Sequence, residues 1–164
     1  IIGLVLAPCA TVPAGVPSLV AADYAAILSD PARAEADKKD DAARRPADVL
    51  AFAGIRPGAT ILEMEVGLGD PANAYAEIMR VLKPGGEFIA MDHAANAGAP
   101  SSTGGTIHRI DPAIVLASAK AAGLVFVEQS DVLANPQDDR SKMVFDATIR
   151  RHTDQFLFRF RKPG

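Results

Sequence analysis

The residues best suited to chemistry stand at the ends of two apolar runs. Gly67-Leu68-Gly69 closes the first run, and Asp70-Pro71 then opens a helix with an N-cap acceptor and a first-position proline. Glycines at such a junction let the backbone approach a ligand, and the first helical N–H groups lack intrahelical partners. Asp92 and His93 end the second run, roughly 20 residues beyond the glycines, where dinucleotide-binding units place the acid that holds a ribose hydroxyl. His93 titrates near neutrality and would serve as a general base toward a hydroxyl or amine. Three widely spread histidines, His93, His108 and His152, predict no metal site, and Asp92 and His93, being adjacent, would diverge on a strand. Cys9 lacks a local base, and Ser101-Ser102 is not set in a nucleophile elbow.

These residues need elements to hold them. Residues 59–66 have strand length and β-branched Thr60, Ile61 and Val66, while residues 88–91 form a second buried strand pattern after the turn Lys83-Pro84-Gly85-Gly86. Between them Ala74, Ile78, Val81 and Leu82 recur at helical spacing. Strand, helix and strand in this order predict a right-handed crossover with parallel strands. Upstream, 21–28 reads as a helix, 33–45 as a charged, solvated helix, and 46–53 as a helix from Pro46 to a stop at Gly54. Downstream, 94–106 is a loop of small residues, a mobile lid or a slack connector. Asp111-Pro112 starts a helix that ends at Gly123 and carries Ile114, Val115, Ala119 and Ala122. Residues 124–132 and 153–161 follow as strands, the latter with Phe156, Phe158 and Phe160 on one side and Leu157 and Arg159 on the other.

A chain of 164 residues, 49% apolar and 23% charged, has the size and balance of one folded domain. Its net charge of −3 gives no basic footprint for nucleic acid. The single cysteine excludes an internal disulfide. Residues 1–20 carry an apolar run followed by small residues and prolines, an export-signal-like segment or N-terminal arm, so a periplasmic or exported location is expected, and otherwise a cytoplasmic one. Leu6-Ala7-Pro8-Cys9 approximates a lipoprotein cleavage box, with proline unfavourably beside the cysteine. No run reaches the roughly 18 apolar residues a membrane span needs.

Ile61-Leu62-Glu63-Met64-Glu65-Val66-Gly67-Leu68-Gly69 resembles the first motif of class I S-adenosylmethionine-dependent methyltransferases, and Arg80-Val81-Leu82-Lys83-Pro84-Gly85-Gly86 resembles the helix and turn before their fifth strand. Asp30-Pro31-Ala32-Arg33, Asp41-Ala42-Ala43-Arg44-Arg45-Pro46, His108-Arg109-Ile110-Asp111 and Thr153-Asp154-Gln155-Phe156 resemble a bacterial group of predicted, often exported members. The likeness implies a three-layer, Rossmann-like α/β fold over 21–164, a mixed sheet with an antiparallel C-terminal strand, and S-adenosylmethionine as cofactor. It implies that Glu63, Gly67 and Gly69 cradle the cofactor, with Glu65 at a position commonly glycine in the family, and that Asp92 or His93 orients or deprotonates a small-molecule acceptor. The sequence departs from the family between Gly69 and Asp70, where roughly 100 residues, carrying the second to fourth strands and the ribose-binding acid, would be expected. The resulting expectation is methyl transfer to a small acceptor; the alternative is a shortened, non-catalytic binding or assembly module whose uncovered sheet is closed by pairing into a homodimer. A nicotinamide oxidoreductase is disfavoured, since only two glycines of that fingerprint are present.

Overall fold

The computed structural model describes residues 2–7, 19–56, 59–65 and 71–164. They form β1 (Ile2–Ala7), α1 (Ala21–Leu28), α2 (Glu35–Lys38), α3 (Asp41–Arg44), α4 (Pro46–Ala53), β2 (Thr60–Glu65), α5 (Pro71–Val81), β3 (Glu87–His93), α6 (Thr103–Ile107), α7 (Pro112–Ala121), β4 (Val125–Ser130) and β5 (Gln155–Arg161). The expected α/β class is observed. Residues 2–7 of the N-terminal arm are a strand of the sheet, and residues 8–18 lie outside the described residues.

Local chemistry explains where the helices begin and end. The Asp111 carboxylate accepts from the Ala113 N–H at 2.9 Å and Pro112 fills the first turn of α7. Gly54 closes α4 at φ 64° and Gly123 follows α7 at φ 92°, left-handed conformations that glycine adopts without strain. The charged stretch 33–45, expected as one helix, is instead the two single-turn helices α2 and α3. Arg33 folds back onto the Asp41 carboxylate at 2.7 and 3.0 Å and donates to the Leu28 carbonyl, side-chain bonds that compete with continuous helix. The loop 94–106 contains α6 and is tied down, since Ala95 N–H donates to the Ile110 carbonyl and Gly98 N–H to Asp111.

The strands form one sheet in the order β2-β1-β3-β5-β4. β1 pairs antiparallel with both β2 and β3, and β5 with both β3 and β4. Thus β2, β3 and β4 point one way and β1 and β5 the other. The direct parallel pairing expected of β2 and β3 is not formed. They run in the same direction, as a crossover through α5 requires, but the apolar Ile2–Ala7 run lies between them and occupies the facing hydrogen-bonding edges of both. The expected mixed sheet is corrected accordingly: among the described residues every ladder is antiparallel, and the one parallel bridge, Ala94 to Ile110, is outside the named strands. The C-terminal strand is antiparallel to its neighbours, as expected.

Helices cover both faces. On one, Phe88, Ala90, Phe156, Phe158 and Phe160 pack against Tyr75 and Ile78 of α5, Leu82 just after it, and Val115 and Ala119 of α7. On the other, Ile89 and Leu157 pack against Ala53, with Val49 and Phe52 of α4 around them. α1 is fixed to this layer by Tyr24, whose buried hydroxyl donates to the Ile55 carbonyl. The alternation expected along 153–161 is observed, with Arg159 on the α4 side, where it pairs with Glu128 and donates to the Phe52 carbonyl at 3.3 Å. The α5 stripe is shifted from expectation: Val81 is 40% exposed, and Tyr75 takes the buried place. No described helix is long and apolar enough to cross a membrane.

Candidate functional site

The chemistry-bearing residues collect at the sheet edge where β2 and β3 end. Glu65 is in register with Ile2, and Ile2 with Met91, so the last residue of β2 shares a transverse row with Met91, about 10 Å away or two strand spacings, and β3 runs on two residues further to His93. Glu63 lies one pleat repeat further in, in register with Leu4 and, across it, Ile89. Gly67 and Gly69, the expected cofactor cradle, lie outside the described residues. The topology therefore gathers the backbone positions of Glu65, Asp92 and His93 at one edge.

Asp92 and His93 do not form a pair aimed at one point. Asp92 is in register with Phe156, on the face covered by α5 and α7, and His93 with Gln155, on the opposite face. The His93 Nδ1 lies 2.8 Å from the Thr153 hydroxyl. Burial pushes its imidazole below the usual 6.5, and the nearby Asp92 opposes this only in part. The ring is thus neutral at pH 7 and able to take a proton. The Asp92 carboxylate accepts from the His93 N–H at 2.6 Å, which fixes it at the strand end.

Tyr75 is a buried polar group that sequence reading misses. Its side chain is 1% exposed, its ring meets Phe88 edge-on at 5.9 Å, and its hydroxyl has no hydrogen-bond partner among the described residues. Burial, and next the charge of Asp92, push the phenol above its ordinary 10.0, so it is a proton donor throughout the physiological range. The sequence signal was its spacing with Ile78 and Leu82, which marks it as core and conceals the hydroxyl.

Arg109, which the sequence left without a role, is structural. It is fully buried, 2.9 Å from Asp138, and donates to the carbonyls of Lys142 at 2.8 Å and Ala94 at 3.0 Å. Burial acts to raise the Asp138 carboxyl, but N–H bonds from Asp154 and Arg140 and the Arg109 guanidinium outweigh it and hold the group below the usual range. Arg140 in turn pairs with Asp154 at 2.7 Å. This chain of charges clamps the segment after β4 beside the end of β3. A cavity of about 370 Å³ opens next to it, lined by Ser130, Arg140, Asp154, Gln155 and Phe156 among others. His108 is turned away onto the Phe145 ring, 5.0 Å between centroids. Among the described residues no three His, Cys, Asp or Glu side chains gather as metal ligands would.

Comparisons with family models, curated proteins and solved structures give no match.

Proposed function

We propose that this chain is a shortened, Rossmann-like class I methyltransferase domain that binds S-adenosylmethionine and transfers its methyl group to a small acceptor. The observation that carries this reading is the shared direction of β2 and β3, which brings the backbone positions of Glu65, Asp92 and His93 to one end of the sheet. The antiparallel β5 set between β3 and β4, and helices on both faces, support it. The Tyr75 hydroxyl, buried and without a partner among the described residues, fits a bound molecule with polar groups, because a buried donor in a native fold ordinarily has a partner.

When bound, S-adenosylmethionine supplies an electrophilic methyl on a sulfonium that leaves as a neutral thioether. The protein's part is placement, which can supply most of the rate of an in-line transfer. Glu63, Glu65 and the glycine turn would hold the donor. His93, neutral at pH 7, would take the acceptor's proton at Nε2 when Nδ1 donates to Thr153. Asp92, on the other face, would orient polar groups. Calorimetric titration of the full chain with S-adenosylmethionine tests the reading. Saturable heat with a dissociation constant on the order of micromolar is expected; no heat and no thermal shift at millimolar ligand would overturn it.

A second reading, a non-catalytic module that pairs with a second copy, is favoured by one observation. β4 is an outer strand, and its Val125, Phe126 and Val127 are exposed at 54%, 45% and 37%. Light scattering that gives a monomer at all concentrations would remove it.

A further inference from the structure

The cavity of about 370 Å³ beside the Arg109 clamp has the size of small-molecule sites in general. A row of four charges leads to it from the core: Arg109, wholly buried, then Asp138, Asp154 and Arg140, whose side chain is 35% exposed. Two positive and two negative groups balance along the row, and Arg140 is its open end. The Asp138 carboxylate accepts from the Arg140 N–H at 3.0 Å and helps to hold that residue at φ 61°, a left-handed conformation that is costly without glycine. From this bend the Arg140 guanidinium reaches Asp154 at 2.7 Å, and both residues line the cavity.

The hydrogen-bonding capacity left over there decides the chemistry of a ligand. Both Asp154 carboxylate oxygens are engaged, Oδ1 by the Asn135 N–H at 2.7 Å and Oδ2 by Arg140. Apart from that pair, Arg140 reaches only the Ala95 carbonyl among the described residues, at 3.5 Å, whereas a guanidinium carries five N–H donors. What remains is donor capacity on a cation, which suits a negatively charged acceptor. A planar carboxylate matches the guanidinium fork. Being singly charged, it is opposed less than a phosphate by Asp154 and by Asp131, which is exposed at the rim and screened by water. Much of the remaining lining is apolar: the rings of Phe156 and Phe158, stacked at 4.8 Å, together with Pro112, Ala134 and Pro136. We infer that this cavity, between the end of β4 and the starts of β5 and α7, binds a small carboxylic acid with an apolar body, the carboxylate on Arg140 and the body on Phe156 and Phe158. The site is independent of the methyl-donor reading.

The experiment titrates the full ¹⁵N-labelled chain with 3-phenylpropionate, and with 3-phenylpropionamide as the uncharged control, following amide shifts. Wild type should bind the acid saturably with a submillimolar dissociation constant, its shifts concentrated in residues 129–140 and 154–158. The amide should bind at least about ten-fold more weakly, since it lacks the charge that Arg140 meets. Arg140→Lys keeps the ion pair with Asp154 but loses the fork, and should weaken the acid roughly five-fold. Ala134→Leu fills the cavity and touches none of the four charges, so it tests the site even if Arg140→Lys loosens the clamp; it should abolish binding without lowering the melting temperature. No saturable shift in wild type at millimolar acid, equal binding of acid and amide, or wild-type affinity in folded Ala134→Leu would each overturn the assignment. Calorimetry with S-adenosylmethionine decides the methyl-donor reading separately, whatever these titrations give.

Discussion

His93 and Arg109 show how differently two polar residues on one edge can be used. The folded protein binds a proton at His93 less readily than the unfolded chain, since burial lowers the folded pKa below 6.5. Its contribution to stability is therefore fully present above about 6.5 and lost as pH falls from there toward the lower folded value. Urea midpoints at pH 7.5 and 5.5 should fall more for wild type than for His93→Gln; equal falls would show that the ring is not held neutral. Arg109→Met should cost about 3–5 kcal/mol, because Asp138 is left buried and unpaired. A loss within about 1 kcal/mol in denaturant unfolding would contradict the role given to the pair. Asp92 and His93 were legible as the end of a strand, and their divergence follows from the strand's pleat. The Arg109–Asp138 pair was not legible. Its partners are 29 residues apart, and only the closure of the segment after β4 brings them together.

Among the elements, those with punctuated ends were the readable ones. α4 ran from Pro46 to Gly54 and α7 from Asp111-Pro112 to Gly123, each end fixed by a local bond or a left-handed residue. Asp111→Ala should destabilise by about 1–2 kcal/mol, since the carboxylate serves both the Ala113 and the Gly98 N–H groups. A melting temperature equal to wild type would argue against that double cap. The stretch 33–45 was misread because its charges suit a solvated helix as well as the Arg33–Asp41 bridge that breaks it. On β4, Val127→Lys should leave the monomer folded and lower any concentration-dependent mass seen by light scattering, as a charge on an outer strand opposes edge pairing. A mass that stays high would show that association does not use this strand.

At the scale of the whole molecule, the α/β class and the direction of the crossover follow from the order of elements, whereas the neighbour of each strand does not. β2 and β3 each offer a free edge, and the apolar run 2–7, with the character of an export segment, is equally suited to fill the place between them. Hydrophobic pattern alone does not choose between those uses. The consequence for function is that two strand ends pointing the same way face one edge with β1 between them. The most direct measurement of a donor site there is an amide ¹H–¹⁵N spectrum of the full chain titrated with S-adenosylmethionine. Shifts should concentrate in residues 63–70, 75 and 91–94, with α1 to α4 and β4 unmoved. Shifts centred on β4 or on the helices before β2, or a spectrum unchanged at saturating ligand, would contradict it.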